Sequence, residues 1–166
     1  YGCVEQTTSR LFPMYLLKQN AEIATMHLEK EQNLDGFIQS GINRLFSMQT
    51  DSGGLGFWPG ARSSYAYGSV YALHFLTLVK NGRDIELPAK NMEDLQNYVR
   101  KISRDWSENS ESSLYQRAYA VYVLALGGML SSVWRRHAGV LALVCAVGFA
   151  ACTDPWVHGA LLMVFV

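Results

Sequence analysis

A cysteine and a glutamine lie three residues apart at the start of this chain, in the run YGCVEQ. The next segment, TTSRLFPMYLLKQNAEIATM, has a helical pattern, so the side chains of Cys3 and Gln6 would lie on one face of a helical turn and could meet. A thiolate that attacked the Gln6 carboxamide would expel ammonia and leave an internal thioester, which is a stored acyl electrophile. Backbone N–H groups at a helix N-terminus would stabilise negative charge on both the thiolate and the oxyanion.

The residues GCVEQ resemble the Gly-Cys-x-Glu-Gln thioester motif of the α2-macroglobulin and complement family, and the flank YGCVEQTTSRLFP resembles its bacterial α2-macroglobulin branch. The resemblance implies that Cys3 and Gln6 are the two halves of a thioester and that Gly2 and Glu5 are the other motif positions. The simpler interpretation, that Cys3 is a small buried hydrophobe at a helix start, suits an isolated C-x-E-Q. The long matching flank favours the thioester.

The bulk composition indicates one globular domain and gives no sign of a nucleic-acid, metal or cofactor partner. The chain has 166 residues, 49% of them hydrophobic, with 14 basic and 14 acidic side chains. This balance gives no reason to expect a nucleic-acid partner. The three cysteines, at positions 3, 145 and 152, form neither a disulfide framework nor a zinc spacing, so we expect no metal or cofactor. Because the chain opens directly on the motif, with no targeting segment, we interpret its first residues as an excised boundary.

Helical periodicity and short glycine- or proline-containing breaks predict an all-α fold. The predicted helices cover about residues 7–31, 34–48, 64–80, 88–106 and 112–126. The apolar residues expected to face the core include Leu11, Met14, Tyr15 and Leu17 in the first helix and Phe37 and Ile38 in the second.

A glycine-rich block, SMQTDSGGLGFWPG, separates the second and third predicted helices. Its turn residues are Gly53, Gly54, Gly56, Trp58 and Gly60, and we expect Trp58 and Phe57 to pack between helices. The block resembles the second helical hairpin of the family's thioester domain, and also the turns of terpenoid cyclases and protein prenyltransferases, which share the α/α-toroid architecture. A weak internal repeat, SSYAYGSVYALHFLTLV against SSLYQRAYAVYVLALGG, fits such a ring. Because the resemblance covers residues 1–128, we expect an incomplete half-ring of helical hairpins.

The resemblance implies a fragment of a bacterial α2-macroglobulin-like, broad-spectrum endopeptidase inhibitor. In that family a protease cuts a bait region elsewhere in the parent protein, the protein rearranges, and a lysine amine of the protease attacks the acyl carbon of the glutamine, here Gln6. This is one covalent event without turnover, so we expect no enzyme. The implied partners are target proteases and the other domains of the parent, and the implied location is the periplasm or the periplasmic face of the inner membrane.

Two other functional classes remain open. An enzyme of the terpenoid-cyclase type would need an aspartate-rich cluster, whereas Asp51, Asp84, Asp94 and Asp105 stand alone in the sequence. A purely structural fragment, in which no thioester forms, is the second alternative. We assign His74 to packing rather than catalysis, because the motif that carries the complement family's histidine is not visible.

The composition changes near residue 129. Met129, Arg135-Arg136, an apolar run over 138–151 and Cys152 have the layout of a bacterial export signal with a lipoprotein-like cleavage site, and a lipid anchor there would be the only link to a membrane. Residues 129–166 are therefore interpreted as a segment foreign to the domain. A buried helix that completes the core and a short membrane-associated hairpin are the alternatives.

Overall fold

The computed structural model describes residues 2–19, 34–104 and 111–128, and these ranges contain five helices. The helices are α1 (Val4–Gln19), α2 (Leu34–Phe46), α3 (Ala66–Gly82), α4 (Ala89–Arg104) and α5 (Glu111–Leu126). In the same ranges the only strand-like feature is an isolated antiparallel bridge between Gln49 and Leu55. The predicted all-α fold is confirmed.

The first helix begins earlier than the sequence pattern indicated, at Val4 rather than Thr7. The backbone N–H of Thr7 donates to the Cys3 carbonyl over 2.9 Å, so the first helical turn closes around the motif itself. The predicted continuation of this helix to residue 31, and the end of the fourth helix at residue 106, lie outside the described residues.

Helix α3 is the centre of the packing. It contacts α1, α4 and α5, while α2 packs against α1, and α4 also packs against α5. Its fully buried side chains include Leu73, Phe75, Leu76 and Val79. Helices α1, α3 and α5 thus form one row of neighbours. Helix α2 packs beside α1, and α4 packs beside both α3 and α5. This two-row arrangement is the one expected for an arc of an α/α ring.

The glycine-rich segment between α2 and α3 folds into tight turns. The backbone N–H of Gly53 donates to the Thr50 carbonyl, and that of Thr50 donates to the Gly54 carbonyl, both over 2.9 Å. Gly53 has a φ of +88°, and a Cβ atom there would lie 2.6 Å from the Asp94 carbonyl oxygen on α4. Only glycine meets both conditions, so the predicted turn role of Gly53 has a clear physical basis.

The aromatic residues of this segment do not pack as predicted. Trp58 lies in the turn and contacts the ring of Phe57 with centroids 5.8 Å apart, but Trp58 is 47% exposed and Phe57 is also exposed. The fully buried apolar side chains of the segment are Met48 and Leu55. The sequence pattern located the turn but not the residue that fills the space between the helices.

Some apolar residues assigned to the core are also exposed. Leu11, Tyr15 and Ile38 are buried as expected, but Met14 and Leu17 are exposed, and Phe37 is 60% exposed. Leu11 and Tyr15 are four residues apart and share the face of α1 that is covered by its neighbours, whereas Met14 and Leu17 lie beside that face. Periodicity groups residues into faces, but only the packing decides which face is covered.

A polar cluster joins the ends of three helices. The ammonium of Lys18 on α1 lies 2.7 Å from carboxylate oxygens of both Asp35 on α2 and Asp84, which follows α3. The Tyr15 hydroxyl donates to Asp84 over 2.9 Å. Burial, followed by the contact with Asp84, raises the pKa of Tyr15 to about 12. Burial alone would raise the pKa of Asp84, but the hydrogen bonds from Lys18 and Tyr15 outweigh it and lower that pKa.

The predicted foreign tail, residues 129–166, lies outside the described residues, together with Cys145 and Cys152. Among the described helices, none has the length and the apolar character needed to cross a bilayer.

Candidate functional site

Cys3 occupies the N-cap position of α1, immediately before the first helical residue. Its carbonyl accepts the first helical hydrogen bond, from the Thr7 N–H over 2.9 Å. The residue is only 4% exposed and its thiol is free. The thiol is therefore held at the positive end of a helix and largely away from water.

Gln6 is the third residue of α1, and its side chain turns back toward Cys3. The Gln6 Oε1 atom accepts a hydrogen bond from the Cys3 backbone N–H over 3.2 Å. This is the half of a capping box in which a glutamine at the third helical position binds the N–H of the N-cap residue. The remainder of the Gln6 side chain is exposed. Local helix-capping chemistry thus places the carboxamide of Gln6 against the backbone of Cys3, while the predicted contact between the Cys3 sulfur and this carboxamide stays a prediction.

Gly2 precedes Cys3, and its carbonyl oxygen is heavily engaged. The guanidinium of Arg44 on α2 donates to it twice, from Nε over 3.1 Å and from Nη2 over 2.7 Å. The Thr7 hydroxyl makes a longer contact of 3.4 Å with the same oxygen. A Cβ atom on Gly2 would lie 3.3 Å from the Gln6 Cβ, which is tighter than an ordinary contact, so glycine lets the Gln6 side chain fold back.

Arg44 is a site residue that the sequence reasoning missed. It lies in the last turn of α2, between the buried residues Ile42 and Leu45, and in the sequence it reads as an ordinary polar position. Its partner, Gly2, is 42 residues away. No local spacing could have signalled this contact.

The glycine-rich segment closes one side of the site. The Phe57 carbonyl accepts the backbone N–H of Val4, the first residue of α1, over 3.1 Å. Leu55 anchors this part of the segment, because its carbonyl accepts the N–H of Tyr65 over 2.7 Å and its own N–H donates to the Ser69 hydroxyl over 2.8 Å. Of the predicted turn residues, Gly54 and Gly56 are buried behind the site, and Gly60 lies at the exposed tip with a φ of +79°.

Glu5, the acidic motif position, forms a hydrogen bond with an aromatic residue at the end of the glycine-rich segment. The Tyr65 hydroxyl donates to Glu5 Oε1 over 2.7 Å. The hydrogen bond to Glu5, followed by burial, raises the pKa of Tyr65 to about 12. The negative charge of Glu5 lies in the first turn of α1, where the helix dipole favours it. Glu5 therefore ties the motif to the start of α3.

His74 lies in an aromatic cluster and not at the motif. Its Nδ1 atom is 3.0 Å from the Tyr119 hydroxyl, and its ring contacts Phe12 edge-on at a centroid distance of 5.0 Å. Burial lowers the pKa of His74, so the imidazole is neutral at pH 7. These contacts support the packing role that we predicted.

The described aspartates that could serve a metal or a cyclase mechanism are paired with other side chains or lie apart from one another. Asp84 binds Lys18 and Tyr15, and Asp94 pairs with Lys90 over 3.0 Å. Within the described residues no three His, Cys, Asp or Glu side chains are grouped as metal ligands. Asp105 and the histidines and cysteines of the tail lie outside those residues.

Comparison with known sequences gives one consistent group of relatives, while no protein-family model matches. Alpha-2-macroglobulin of Escherichia coli strain K12 is 28% identical over an alignment of 151 residues, which covers 83% of this chain and 9% of that protein. Alpha-2-macroglobulin of Rickettsia conorii is 28% identical over 133 residues, or 80% of this chain and 7% of that protein. That of Thermotoga maritima is 41% identical over 58 residues, or 35% of this chain and 3% of that protein.

Comparison with solved structures gives the same group. Trypsin-activated alpha-2-macroglobulin of E. coli matches with a TM-score of 0.67 and 24% identity, over 82% of this chain and 10% of that chain, which supports the fold. Salmonella alpha-2-macroglobulin reacted with methylamine matches with the same TM-score and 26% identity, over 82% of this chain and 9% of that chain. The chain thus spans about a tenth or less of the length of each of these five matched chains.

Proposed function

The chain belongs to the alpha-2-macroglobulin family, and from this premise we propose that Cys3 and Gln6 form an internal thioester that traps proteases covalently. The observation that carries the proposal is the turn of α1, where Gln6 Oε1 lies 3.2 Å from the Cys3 backbone nitrogen and the thiol is buried. The capping contact holds the Gln6 carboxamide beside the Cys3 backbone, which supports the proposal.

The thioester would form by addition of the Cys3 sulfur to the side-chain carbonyl carbon of Gln6. The Sγ–Cδ bond forms, the Cδ–Nε2 bond breaks, and the thiol proton leaves with the nitrogen as ammonia. The new bond stores the reactivity of an activated acyl group at a site where water is partly excluded. The burial of Cys3 supports this storage role.

Opening of the thioester would attach a target protein. A lysine amine of a protease attacks the Gln6 acyl carbon, an isopeptide bond forms, and Cys3 leaves as a thiolate that takes up a proton. Because the bond is used once, the chain would act as an inhibitor fragment and not as a turnover enzyme. The Gln6 side chain is exposed, so the other domains of a parent protein would have to cover it until a protease triggers the rearrangement.

Intact-mass measurement of the 166-residue chain tests the proposal. We expect a mass lower than that of the sequence by one ammonia, and we expect methylamine to add to Gln6 and release one titratable thiol at Cys3. Cys3→Ser should abolish both signals, while Ser47→Ala, an exposed position at the end of α2, should leave them unchanged. A wild-type chain with full sequence mass, a freely titratable thiol and, by peptide mapping, an intact Gln6 amide rather than a hydrolysed carboxylate would refute the proposal and favour the structural-fragment alternative.

We propose a periplasmic location, because the resemblance to bacterial alpha-2-macroglobulins implies one. An export signal in the tail would place a lipid anchor at Cys152. Fractionation of a bacterium that produces the chain, with Cys152→Ser as the comparison, tests this. A chain that remains in the cytosol would refute it.

A further inference from the structure

One peptide unit connects Arg44 to the carbonyl of Gln6. The oxygen of the Gly2–Cys3 peptide accepts the Arg44 guanidinium at 3.1 and 2.7 Å, and the N–H of the same peptide donates to Gln6 Oε1 at 3.2 Å. Gly2 and Cys3 are both buried. Since a peptide group is conjugated, a cation bound to its oxygen withdraws electron density from its nitrogen and makes its N–H a stronger donor.

Two neighbouring N–H groups at the helix start are engaged elsewhere. That of Val4 donates to the Phe57 carbonyl, and that of Thr7 donates to the Cys3 carbonyl. The Cys3 N–H, by contrast, points to the Gln6 side chain. The double contact from Arg44 fixes the plane of the Gly2–Cys3 peptide, because a two-pronged guanidinium contact sets direction as well as strength.

We propose that the Cys3 N–H is the oxyanion-stabilising donor of this site and that Arg44 is its positioning residue; this rests on the thioester proposed above. When the Cys3 sulfur adds to the Gln6 Cδ, the electron pair of the C=O bond moves onto Oε1, the oxygen that the Cys3 N–H already binds. When an amine later adds to the same carbon, the charge returns to Oε1 before Cys3 leaves. The one donor therefore serves both the formation and the opening of the thioester.

The amine-opening rate separates this role from simple structural support. If Arg44 only holds the turn together, its loss loosens the site and amines should react faster. If Arg44 polarises and orients the Cys3 peptide, its loss should slow the reaction even though access improves. The loss of a whole oxyanion donor costs about 10²–10³ in rate, and a polarising neighbour changes a hydrogen bond by about 10–30%, so the expected slowing is about two- to eightfold.

The experiment compares Arg44→Met and Arg44→Lys in the 166-residue chain, with Arg10→Met, an exposed arginine of α1, as the matched control. Methylamine is added to the thioester form and the conversion is followed by intact mass. We expect Arg44→Met to react about two- to eightfold more slowly. Arg44→Lys should fall between it and the wild type, because a lysine cannot make the double contact, and Arg10→Met should match the wild type.

An infrared measurement gives a readout that a structural role would not move. With ¹³C at the glutamine side-chain carbonyls, the difference spectrum before and after methylamine isolates the Gln6 thioester. A weaker Cys3 donor should shift its carbonyl stretch to higher wavenumber in Arg44→Met. A wild-type chain without a thioester would refute both proposals, whereas a wild-type thioester with equal or faster opening in Arg44→Met, and an unchanged stretch, would overturn only the role of Arg44.

Discussion

The contact between Tyr15 and Asp84 should contribute measurably to the stability of the helical arc. Tyr15 is almost completely buried on α1, and its hydroxyl donates to Asp84, whose side chain is 27% exposed, over 2.9 Å. We perturb it with Tyr15→Phe, which deletes the donor, and with Asp84→Asn, which keeps an acceptor but removes the charge. Together with the double variant these form a mutant cycle.

The magnitude follows from the type of bond. A hydrogen bond to a charged group contributes about 1.5–3 kcal/mol and a neutral one about 1 kcal/mol, so Asp84→Asn should lose about 1 kcal/mol at this contact. Its ion pair with Lys18 adds about 0.2–1 kcal/mol at a partly exposed position. Lys18 keeps its second partner, Asp35. We expect each single variant to lose about 1–2 kcal/mol, or roughly 2–8 °C in Tm for a chain of this size.

Chemical denaturation followed by far-ultraviolet circular dichroism measures the cycle. Because the two side chains touch, the double variant should lose less than the sum of the single variants, with a coupling of about 0.5–1 kcal/mol. Asp51→Asn, an exposed aspartate in the turn segment, is the matched control and should change stability by less than about 0.5 kcal/mol. Additive single-variant losses, or a loss in Asp51→Asn equal to that in Asp84→Asn, would refute the reasoning.

The pH dependence of the same cluster has a defined sign. The pKa of Asp84 is lowered in the folded chain, so its contribution is present above the unfolded pKa and is lost as the pH falls through the lowered value. The pKa of Tyr15 is raised to about 12, so its contribution is present below the unfolded value and is lost as the pH rises toward 12. Asp84→Asn should therefore flatten the acid limb of a plot of Tm against pH.

Three further predictions concern the site and the tail. Gly2→Ala should lower the yield of the ammonia loss measured by intact mass, because its Cβ would crowd the Gln6 side chain at 3.3 Å; an undiminished yield would contradict the proposed geometry. Ionisation of Tyr65 breaks its hydrogen bond to Glu5 as the pH rises toward 12, and the chain loses the stability that this bond contributes. Tyr65→Phe should therefore flatten the alkaline limb of a plot of Tm against pH. An unchanged alkaline limb would show that this bond does not stabilise the fold. A chain that ends at Gly128 should melt as cooperatively as the full chain by circular dichroism, and loss of the transition would show that the tail belongs to the core.

The local features of this protein were predictable because they depend on residues close together in the sequence. Because Cys3 and Gln6 are three residues apart, ordinary helix capping brings the Gln6 side chain to the backbone N–H of Cys3. The all-α class followed from helical periodicity, and the turn at Gly53 followed from the need for a positive φ. The expected thioester chemistry also came from the sequence, through the motif, and it stays a prediction.

The tertiary structure alone decided which distant groups surround the motif. Arg44 reaches Gly2 across 42 residues and Tyr65 reaches Glu5 across 60, and neither contact leaves a pattern in the chain. The same limit explains the exposed positions of Phe37 and Trp58. A sequence shows which residues can share a helix face or a turn. Which of those faces is buried, and which charged side chain contacts the motif, depends on how the helices pack against each other.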